Sequence, residues 1–305
     1  MIKIKVPCSS ANFGPGFDSI GVALNLYNTF SICEIESGLI IDGCPLEFQT
    51  ADNIVYKAME IVFKKVNYTP SGIKILIESD IPISKGLGSS SSCIIGGMVA
   101  ANYLSGNKLS KEDLINLATK MEGHPDNVIP CFLGGFIVSF FDGEKTYYEK
   151  IPFESKIKFF AMYPNFNLST KKSRNVLPKQ LDFKFAMSNI AASSFLVASI
   201  ANNNLNNIKH SMKNVIHENF RENLIPNFLE IKNKALELNA LGVYLSGAGP
   251  TIMAITSQDN LDFKNSMDSF FESLENDWTI KELSICTNGT TIYWLKRKEG
   301  FYETS

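Results

Sequence analysis

Apolar and polar residues alternate in several short segments of the chain and recur with helical spacing in others, which indicates a mixture of strands and helices. Residues 2–6 alternate between apolar residues and lysine, and residues 73–78 repeat this alternation directly after Gly72, so both segments predict strands. Between them, the apolar residues from Ile54 to Val66 fall on one face of a helix whose predicted N-cap is Asp52. Both periodicities therefore occur close together in the sequence.

The remainder of the chain carries the same mixture. An apolar segment up to Leu104 predicts a helix, and Ser110 begins a capping box for a helix that ends at Gly123. Further periodic segments predict strands at 29–36, 135–141, 145–151, 158–162, 243–245, 251–255, 279–286 and 290–295, and helices at 183–202, 206–214, 226–239 and 260–275. This arrangement predicts an α+β fold.

A chain of 305 residues is longer than a single minimal core requires. The strand-like segments that end at residue 151 complete a first α+β half, and a new apolar strand begins at Lys158. We therefore predict two domains, 1–154 and 155–305.

The composition is that of a globular protein, because 45% of the residues are hydrophobic and 20% are charged. The net charge of −2 argues against a nucleic-acid or membrane-surface role, since both usually need a concentrated basic face. We expect no membrane span, because the richest apolar stretch, residues 93–104, is interrupted by glycines and an asparagine, and the N-terminal pattern lacks the apolar centre of a signal peptide. The six cysteines are scattered without metal-type spacing, so we expect reduced thiols and a cytoplasmic protein.

Arginine is rare in this sequence. Only Arg174, Arg221 and Arg297 stand among 29 basic residues, and the others are lysine. Because a guanidinium group can bind a carboxylate through two parallel hydrogen bonds, an arginine kept in such a background is a candidate anion ligand. Arg297 lies between two lysines near the C-terminus, and we predict that it is a solvated charge instead.

The segment between the strand at 73–78 and the helix up to Leu104 has the features of a phosphate-binding loop. Its two glycines permit backbone conformations and close approaches that side chains prevent, and the following helix offers unpaired N–H groups and the positive end of its dipole. The alternative is a glycine turn with a serine N-cap and no ligand. The candidate residues are Pro82, Ile83, Ser84, Lys85, Gly86, Leu87, Gly88, Ser89, Ser90, Ser91 and Ser92.

Three segments of the chain resemble, in order, the three signatures of the GHMP kinases, a family of small-molecule kinases. Residues 82–92 read Pro-x-x-x-Gly-Leu-Gly-Ser-Ser and are similar to the second signature, while residues 7–21 and 245–251 are similar to the first and the third. The resemblance spans nearly the whole chain. It implies an N-terminal domain like domain 2 of ribosomal protein S5, a ferredoxin-like C-terminal domain, and an active site in the cleft between them.

The resemblance also implies ATP as the cofactor, with its phosphates in the loop 82–92, and Mg²⁺ held by Ser90 and Glu122. Glu122 lies at the C-terminal end of a predicted helix, where the helix dipole disfavours a carboxylate unless a cation sits beside it. The alternative is an ordinary exposed glutamate at a helix end. We expect the turn 246–250 to pack its glycines against the phosphate loop.

The string Gly-His-Pro-Asp-Asn at 123–127 is typical of the branch of the family that phosphorylates L-homoserine. We expect these polar side chains to meet in a loop before an apolar strand. Other branches place an aspartate base where this chain has Asn127, and an asparagine cannot abstract a proton. The resemblance therefore implies in-line transfer by alignment and charge neutralisation, without a dedicated base, with His124, Asp126, Asn127 and Thr170 as the catalytic candidates.

L-homoserine is a zwitterion, so its site needs an anion for the ammonium group and cations for the carboxylate. The family resemblance assigns Asp18, with Asn12 beside it, to the ammonium group, and it assigns Arg174 and Arg221 to the carboxylate. The alternative for the arginines is ordinary surface ion pairing. Asn214 stands where the family usually has an aspartate. We expect this difference to affect a residue that supports the site, and not the two arginines that bind the substrate carboxylate.

Two rival functions stay open at this point. Another GHMP kinase that acts on an alcohol such as mevalonate or shikimate would need a carboxylate ligand but no partner for an ammonium group. A non-catalytic protein that kept the fold would need neither the serines nor Glu122 nor the arginines. The expected partners are thus ATP and a small-molecule alcohol, with no nucleic acid and no membrane, and a homodimer is left open.

Overall fold

The computed structural model describes residues 1–153, 156–298 and 301–304. Its strands are β1 (Ile2–Asn12), β2 (Gly16–Glu34), β3 (Gly38–Asp42), β4 (Gly72–Ser79), β5 (Phe136–Phe141), β6 (Thr146–Ile151), β7 (Ile157–Pro164), β8 (Gly242–Leu245), β9 (Ile252–Ser257), β10 (Trp278–Leu283), β11 (Thr291–Lys298) and β12 (Phe301–Thr304). Its α-helices are α1 (Ile54–Lys65), α2 (Ser89–Leu104), α3 (Lys111–Glu122), α4 (Pro125–Leu133), α5 (Thr170–Asn175), α6 (Phe183–Ala201), α7 (Ile208–Ser211), α8 (Glu218–Arg221), α9 (Phe228–Glu237) and α10 (Phe263–Phe271).

The first sheet contains eight strands in the order β12–β11–β1–β2–β4–β3, and β5 joins it beside β2 and carries β6. Only β3 and β4 run parallel among these described pairs. Helices α1 and α2 pack on one another and on this sheet, and they bury a hydrophobic core that includes Ile4, Phe30 and Ile75. This core supports the start of α2, where the candidate phosphate loop ends.

The second sheet contains four antiparallel strands in the order β10–β7–β9–β8. Numbered within this half of the chain, the strands stand in the order 4-1-3-2, with helices before the second strand and before the fourth. This is the ferredoxin-like arrangement. The predicted α+β fold with a ferredoxin-like second half is therefore confirmed.

The two sheets share a hydrophobic core. Phe13, which follows β1, contacts Phe136 of the first sheet with ring centroids 5.0 Å apart, and it contacts Tyr244 of the second sheet at 5.1 Å. All three side chains are buried. Buried aromatic contacts therefore join the two sheets.

The chain also returns to its first sheet at the end, because β11 pairs with β1. A second domain at 155–305 would thus donate its last strands to the first sheet. The division between Glu154 and Ser155 stays a prediction, and both residues lie outside the described part of the chain, as does the side chain of Arg297.

The strand predicted at 2–6 is longer in the structure, because β1 continues to Asn12 and β2 begins at Gly16. A proline and several glycines follow residue 6 in the sequence. Pro7, however, lies beyond the residues of β1 that pair with β11, so its missing N–H removes no hydrogen bond there. The register between β1 and β2 shifts after Pro7 and after Ala11, so the pairing of the two strands is irregular at these positions.

Local signals at other places gave mixed results. The capping box at Ser110 and the helix end at Gly123 are confirmed. The N-cap of α1 is Asn53 rather than Asp52, because the Asn53 side chain accepts a hydrogen bond from the N–H of Val55 (2.9 Å). The predicted helix at 206–214 contains only the short α7, and β3, α5 and α8 were not predicted because they are too short to show a period.

Candidate active site

The loop between β4 and α2 has the backbone geometry of an anion-binding site. Gly86 and Gly88 have positive φ angles of 79° and 67°. A Cβ atom on Gly88 would lie 2.1 Å from the Ser9 hydroxyl oxygen, and one on Gly86 would lie 2.4 Å from the carbonyl oxygen of Ser246. Gly88 is the N-cap of α2 and no side chain caps this helix, so its first N–H groups are available to a ligand.

The turn between β8 and β9 holds this loop in place. The Ser246 hydroxyl donates a hydrogen bond to the carbonyl oxygen of Gly86 (2.7 Å), and the N–H of Thr251 donates one to the carbonyl oxygen of Lys85 (3.2 Å). The expected packing of this turn against the phosphate loop is confirmed. The second sheet therefore buttresses a loop that belongs to the first.

Glu122, the last residue of α3, lies beside the N-terminus of α2. Its two carboxylate oxygens accept hydrogen bonds from the hydroxyls of Ser90 (2.9 Å) and Ser91 (2.8 Å). Mg²⁺ prefers oxygen ligands, and neighbouring ligands of an octahedral Mg²⁺ with bonds of about 2.1 Å lie about 3.0 Å apart. The oxygens of Ser90 and Glu122 fit this donor set and spacing, while Ser91 orients the carboxylate.

His124, Asp126 and Asn127 lie at the N-terminus of α4, and not in the loop that we expected. Pro125 occupies the first position of this helix, where a proline is well tolerated because the N–H has no partner there. Nδ1 of His124 is 2.6 Å from Oδ1 of Asp126, and Oδ1 of Asn127 accepts a hydrogen bond from the Ser9 hydroxyl (2.8 Å). These bonds fix the orientation of the His124 ring and of the Asn127 amide.

The charge of His124 is set by its neighbours. Burial acts to lower the pKa of His124, but the carboxylates of Asp126, Glu122 and Asp18 together raise this pKa above its ordinary value. One ligand atom each of Asp18, His124 and Asp126 lies within 4.8 Å of the other two. The arrangement therefore favours an imidazolium ion that is paired with Asp126 and close to Asp18.

Asp18 and Arg174 bind each other. Nη2 and Nη1 of Arg174 donate hydrogen bonds to Oδ1 (2.8 Å) and Oδ2 (3.2 Å) of Asp18, in a bidentate pair. Burial acts to lower the pKa of Arg174, but the Asp18 carboxylate raises it above its ordinary value. About a third of each side chain is exposed, so a ligand can reach both charges. Asn12 supports the pair, because its Oδ1 accepts a hydrogen bond from the N–H of Asp18 (3.3 Å).

Arg221 is deeply buried, with 1% of its surface exposed. Its Nε donates a hydrogen bond to the carbonyl oxygen of Ser173 (3.1 Å), and its Nη1 donates one to that of Gly247 (2.9 Å). Burial, with a contribution from the nearby Arg174, lowers the pKa of Arg221 to about 10. The neighbouring His217 is also buried, which lowers its pKa to about 3 and keeps it neutral near pH 7. Arg221 therefore carries a charge that no described carboxylate neutralises through an ion pair.

A cavity of about 600 Å³ joins these groups. It is lined by all the residues that we predicted for catalysis and substrate binding, namely Asn12, Asp18, His124, Asp126, Asn127, Thr170, Arg174 and Arg221, and by both predicted metal ligands, Ser90 and Glu122. From the phosphate loop, the lining residues are Ile83, Ser84, Lys85, Gly86, Gly88, Ser89 and Ser90.

Pro82, Leu87, Ser91 and Ser92 do not line this cavity. Leu87 is buried in the core between the sheets, and Ser92 turns inward on α2, where its hydroxyl accepts a hydrogen bond from Nδ2 of Asn28 (2.8 Å). The side chains of these four residues therefore do not line the cavity, and their place in the binding loop stays a prediction. A helix that begins at Ser89 directs successive serines to different sides.

Several lining residues were not predicted. Phe17 lies close to both Arg174 and Arg221, because its ring centroid is 5.7 Å from Cζ of Arg174 and 5.4 Å from Cζ of Arg221. Its place in the first signature, next to Asp18, was a usable signal. A further part of the cavity wall comes from the segment before α1 and from single residues of β2, β4 and α2, none of which belongs to a sequence motif. These residues are Asn28, Gly43, Cys44, Pro45, Phe48, Asp52, Asn53, Ile54, Ile77, Ser79 and Cys93.

Comparison with known proteins identifies the family to which this geometry belongs. Residues 53–135 match the family model for the N-terminal domain of GHMP kinases, and residues 196–272 match the model for their C-terminal domain. The chain is 46% identical to a homoserine kinase of Clostridium botulinum (strain ATCC 19397 / Type A) over 292 residues, which cover 96% of this chain and 98% of that protein. It is 47% identical to the homoserine kinase of Clostridium beijerinckii over 293 residues, with the same coverage.

Solved structures agree with this family. The crystal structure of homoserine kinase from Cytophaga hutchinsonii superposes with a TM-score of 0.85 at 29% identity and covers 95% of this chain and 96% of its own. The L. major mevalonate kinase in complex with R-mevalonate superposes with a TM-score of 0.71 at 19% identity, over 93% of this chain and 95% of its own. At that identity, the second likeness concerns the fold alone.

Proposed function

Since the chain belongs to the GHMP kinase family, as a member of its homoserine kinase branch, we propose that it transfers the γ-phosphoryl group of ATP to the side-chain hydroxyl of L-homoserine. The products would be ADP and O-phospho-L-homoserine, an intermediate of threonine synthesis. One observation carries the proposal: the phosphate loop, an acidic residue and two arginines line the same cavity. A cytoplasmic location is consistent with six cysteines that are all free.

The phosphates of ATP would lie over the loop 82–90 and the N-terminus of α2. The unpaired N–H groups of that helix and the conformations of Gly86 and Gly88 support this placement. The adenine would use the part of the cavity formed by Cys44, Pro45 and Phe48, because a base needs apolar surface for stacking. Asn53 also lines the cavity, but its side chain caps α1.

Ser90 and Glu122 would hold Mg²⁺. When bound, Mg²⁺ neutralises negative charge on the β- and γ-phosphates during transfer. Replacing Glu122→Gln should keep an oxygen that accepts the serine hydrogen bonds but remove the charge, so the Mg²⁺ concentration for half-maximal rate should rise on the order of tenfold. Glu112→Gln, at an exposed position of the same helix, is the matched control. Equal Mg²⁺ titrations for the two variants would refute this assignment.

The substrate would bind by replacing the ion pair between Asp18 and Arg174 with its own charged groups. A zwitterion can replace both partners at once, because its ammonium group takes Asp18 and its carboxylate takes Arg174 together with Arg221. A simple anion would satisfy the arginines but would draw Arg174 away from Asp18 without supplying a cation in its place, which is costly in a partly desolvated site. The observed pair therefore favours amino-acid alcohols over acids such as mevalonate or shikimate.

Transfer would proceed without a protein base, and the proton of the acceptor hydroxyl would pass to an oxygen of the transferred phosphoryl group. Asp126 is held in the bond with His124, and Asn127 can hold a hydroxyl group but cannot remove its proton. We infer that Asn127, oriented by Ser9, positions the acceptor hydroxyl together with Thr170, while the imidazolium of His124 balances negative charge near the reacting groups. A loose phosphoryl-transfer transition state depends chiefly on such alignment and charge.

The deciding experiment measures ADP release by the purified protein with MgATP and a panel of acceptors that includes L-homoserine, mevalonate and shikimate. We expect turnover with L-homoserine that exceeds that with the two non-amino acids by several orders of magnitude. No homoserine-dependent ADP release would remove the proposal. Equal turnover with mevalonate or shikimate would favour the rival kinase activity instead.

A further inference from the structure

Lys85 of the phosphate loop is a buried cation without a counter-ion. Only 8% of its surface is exposed, and it lines the cavity. Its ammonium group donates a hydrogen bond to the carbonyl oxygen of Phe166 (2.5 Å), and no carboxylate in the described part of the chain forms an ion pair with it. Burial therefore lowers the pKa of Lys85 below its ordinary value.

The ammonium group of Lys85 can bind more than this carbonyl. It has three N–H donors, and Phe166 takes one of them. A charge that is removed from water without a counter-charge is costly, and such groups cluster at sites where a ligand supplies the opposite charge. Gly88 follows in the same loop as the N-cap of α2, and no side chain caps that helix. Both features favour an anion as the ligand of the loop.

The loop is also bound to the segment between β7 and α5. Lys85 contacts the carbonyl oxygen of Phe166, and the N–H of Leu168 donates a hydrogen bond to the carbonyl oxygen of Ser84 (3.3 Å). The segment ends at Ser169, the N-cap of α5. Two consecutive residues of the phosphate loop therefore hold the chain immediately before this helix.

Helix α5 carries two of the residues that we propose to bind the acceptor. Thr170 is its first residue and Arg174 lies one turn later, and both line the cavity. A helix of six residues is too short to be stable by itself, so its position depends on its contacts with the rest of the molecule. The contact made by Lys85 is one of these, and it lies on the N-terminal side of the helix.

We propose that Lys85 is a positioning residue that couples the binding of the two substrates. Its ammonium group would bridge the phosphates of ATP and the carbonyl oxygen of Phe166, and so hold α5 where Thr170 and Arg174 can bind L-homoserine. Bound phosphates stabilise the charge of the ammonium group and fix its place, and a fixed, charged donor makes the stronger hydrogen bond to Phe166. The inference rests on the proposed function, which supplies both ligands.

A purely structural lysine is the competing explanation. In that case the bond between Lys85 and Phe166 would hold α5 equally well with and without nucleotide. Removal of Lys85 would then change the affinity for L-homoserine by the same factor in both states. Coupling instead predicts a change only when nucleotide is bound, because a coupling free energy appears only when both ligands are present.

Isothermal titration calorimetry of the full-length protein measures this difference. L-Homoserine is titrated with and without a saturating concentration of the Mg²⁺ complex of AMP-PNP, an ATP analogue with a nitrogen bridge before its terminal phosphate. We expect nucleotide to lower the Kd of the wild type for L-homoserine on the order of tenfold. Lys85→Met keeps an apolar stem without the charge, so its Kd without nucleotide should match the wild type and should fall less than about twofold with nucleotide.

Two further variants serve as controls. Lys85→Arg keeps a cation at this position and should restore part of the coupling that Lys85→Met loses. Lys171→Met removes an exposed lysine of α5 that does not line the cavity, and it should keep the full coupling. L-Homoserine must also raise the affinity for the nucleotide by the same factor, since coupling is reciprocal.

Three results would overturn this inference alone: a wild-type Kd for L-homoserine that nucleotide does not change, full coupling in Lys85→Met, or a Kd that Lys85→Met raises equally in both states. If the wild type did not bind L-homoserine in either state, the inference and the proposed function would both be wrong.

Discussion

Asp18 and Arg174 show how two residues that we propose to bind opposite ends of a zwitterion can neutralise each other. Each had been assigned to the opposite end of the substrate, and in the structure each satisfies the other through two hydrogen bonds. Neither charge is left unpaired in the free protein, which avoids the penalty of a desolvated lone charge. The identity of these residues was predictable from motifs, but their mutual pairing was not, since 156 positions separate them in the chain.

The variant Asp18→Asn should lower kcat/KM for L-homoserine on the order of 100-fold, because the substrate ammonium group would lose its counter-charge. Steady-state kinetics with a coupled ADP assay measures this. Asp259→Asn, an exposed change far along the chain, is the control and should have little effect. If Asp18→Asn were almost silent, the substrate would not carry an ammonium group.

His124 should contribute to stability in a pH-dependent way. Its pKa in the folded state is raised above the ordinary value of 6.5, so the stabilising imidazolium is fully present below about pH 6.5 and is lost as the pH rises through the raised pKa. The difference in free energy of unfolding between wild type and His124→Gln should therefore shrink with rising pH. Urea unfolding at a series of pH values measures it.

The control for this measurement is His210→Gln, which changes an exposed histidine. Its free energy of unfolding should stay close to that of the wild type, as for most surface substitutions. A difference between wild type and His124→Gln that stays constant across the pH series would show that the bond to Asp126 does not depend on the charge of the imidazole.

At the scale of elements, α4 shows where local signals fail. The loop expected around 123–127 is largely helical, and both Pro125 and Pro130 lie within the helix. Pro130 cannot donate a hydrogen bond to the carbonyl oxygen of Asp126, and that oxygen packs so closely on β2 that a Cβ atom on Gly21 would lie 1.8 Å from it. The strand that accepts this close approach is remote in sequence, so the helix could not be inferred from its own residues.

The junction between the phosphate loop and α2 was, in contrast, predictable, because glycines and a following helix act locally. Gly88→Ala should destabilise the fold and raise the KM for ATP, since it combines a positive φ with a clash against Ser9. Gly106→Ala has a similar φ of 89° but open space around it, so it isolates the backbone strain, about 1–2 kcal/mol. Thermal unfolding and ATP titration separate the two effects. An equal KM for ATP in the Gly88→Ala and Gly106→Ala variants would contradict the proposed role of Gly88.

The whole molecule adds a support that neither half has alone. Ser246 of the second sheet holds the carbonyl oxygen of Gly86 in the loop of the first, and it also contacts Ser10 (2.8 Å). The sheets are bound together by aromatic contacts around Phe13. The position of the phosphate loop relative to the substrate arginines therefore depends on the packing of both sheets.

Ser246→Ala should lower the free energy of unfolding by about 1–3 kcal/mol, because it leaves buried partners unsatisfied, and it should raise the KM for ATP several-fold by loosening the loop. Thr256→Val removes another buried hydroxyl of the second sheet that does not reach the loop. We expect a comparable loss of stability without the change in KM. If both variants changed the KM for ATP alike, Ser246 would have only a general structural role.

The sequence by itself determined the local features of this protein: the glycine conformations before α2, the capping box of α3, the alternation of most strands, and the residue types that the site contains. These depend on sterics and hydrogen bonds within a few positions. Only the tertiary structure decided that Asp18, Glu122 and Arg174 share one cavity, that Ser92 faces the core, and that Lys85 contacts the segment before α5. Such juxtapositions arise from the packing of sheets and helices that are distant in sequence, and no local pattern encodes them.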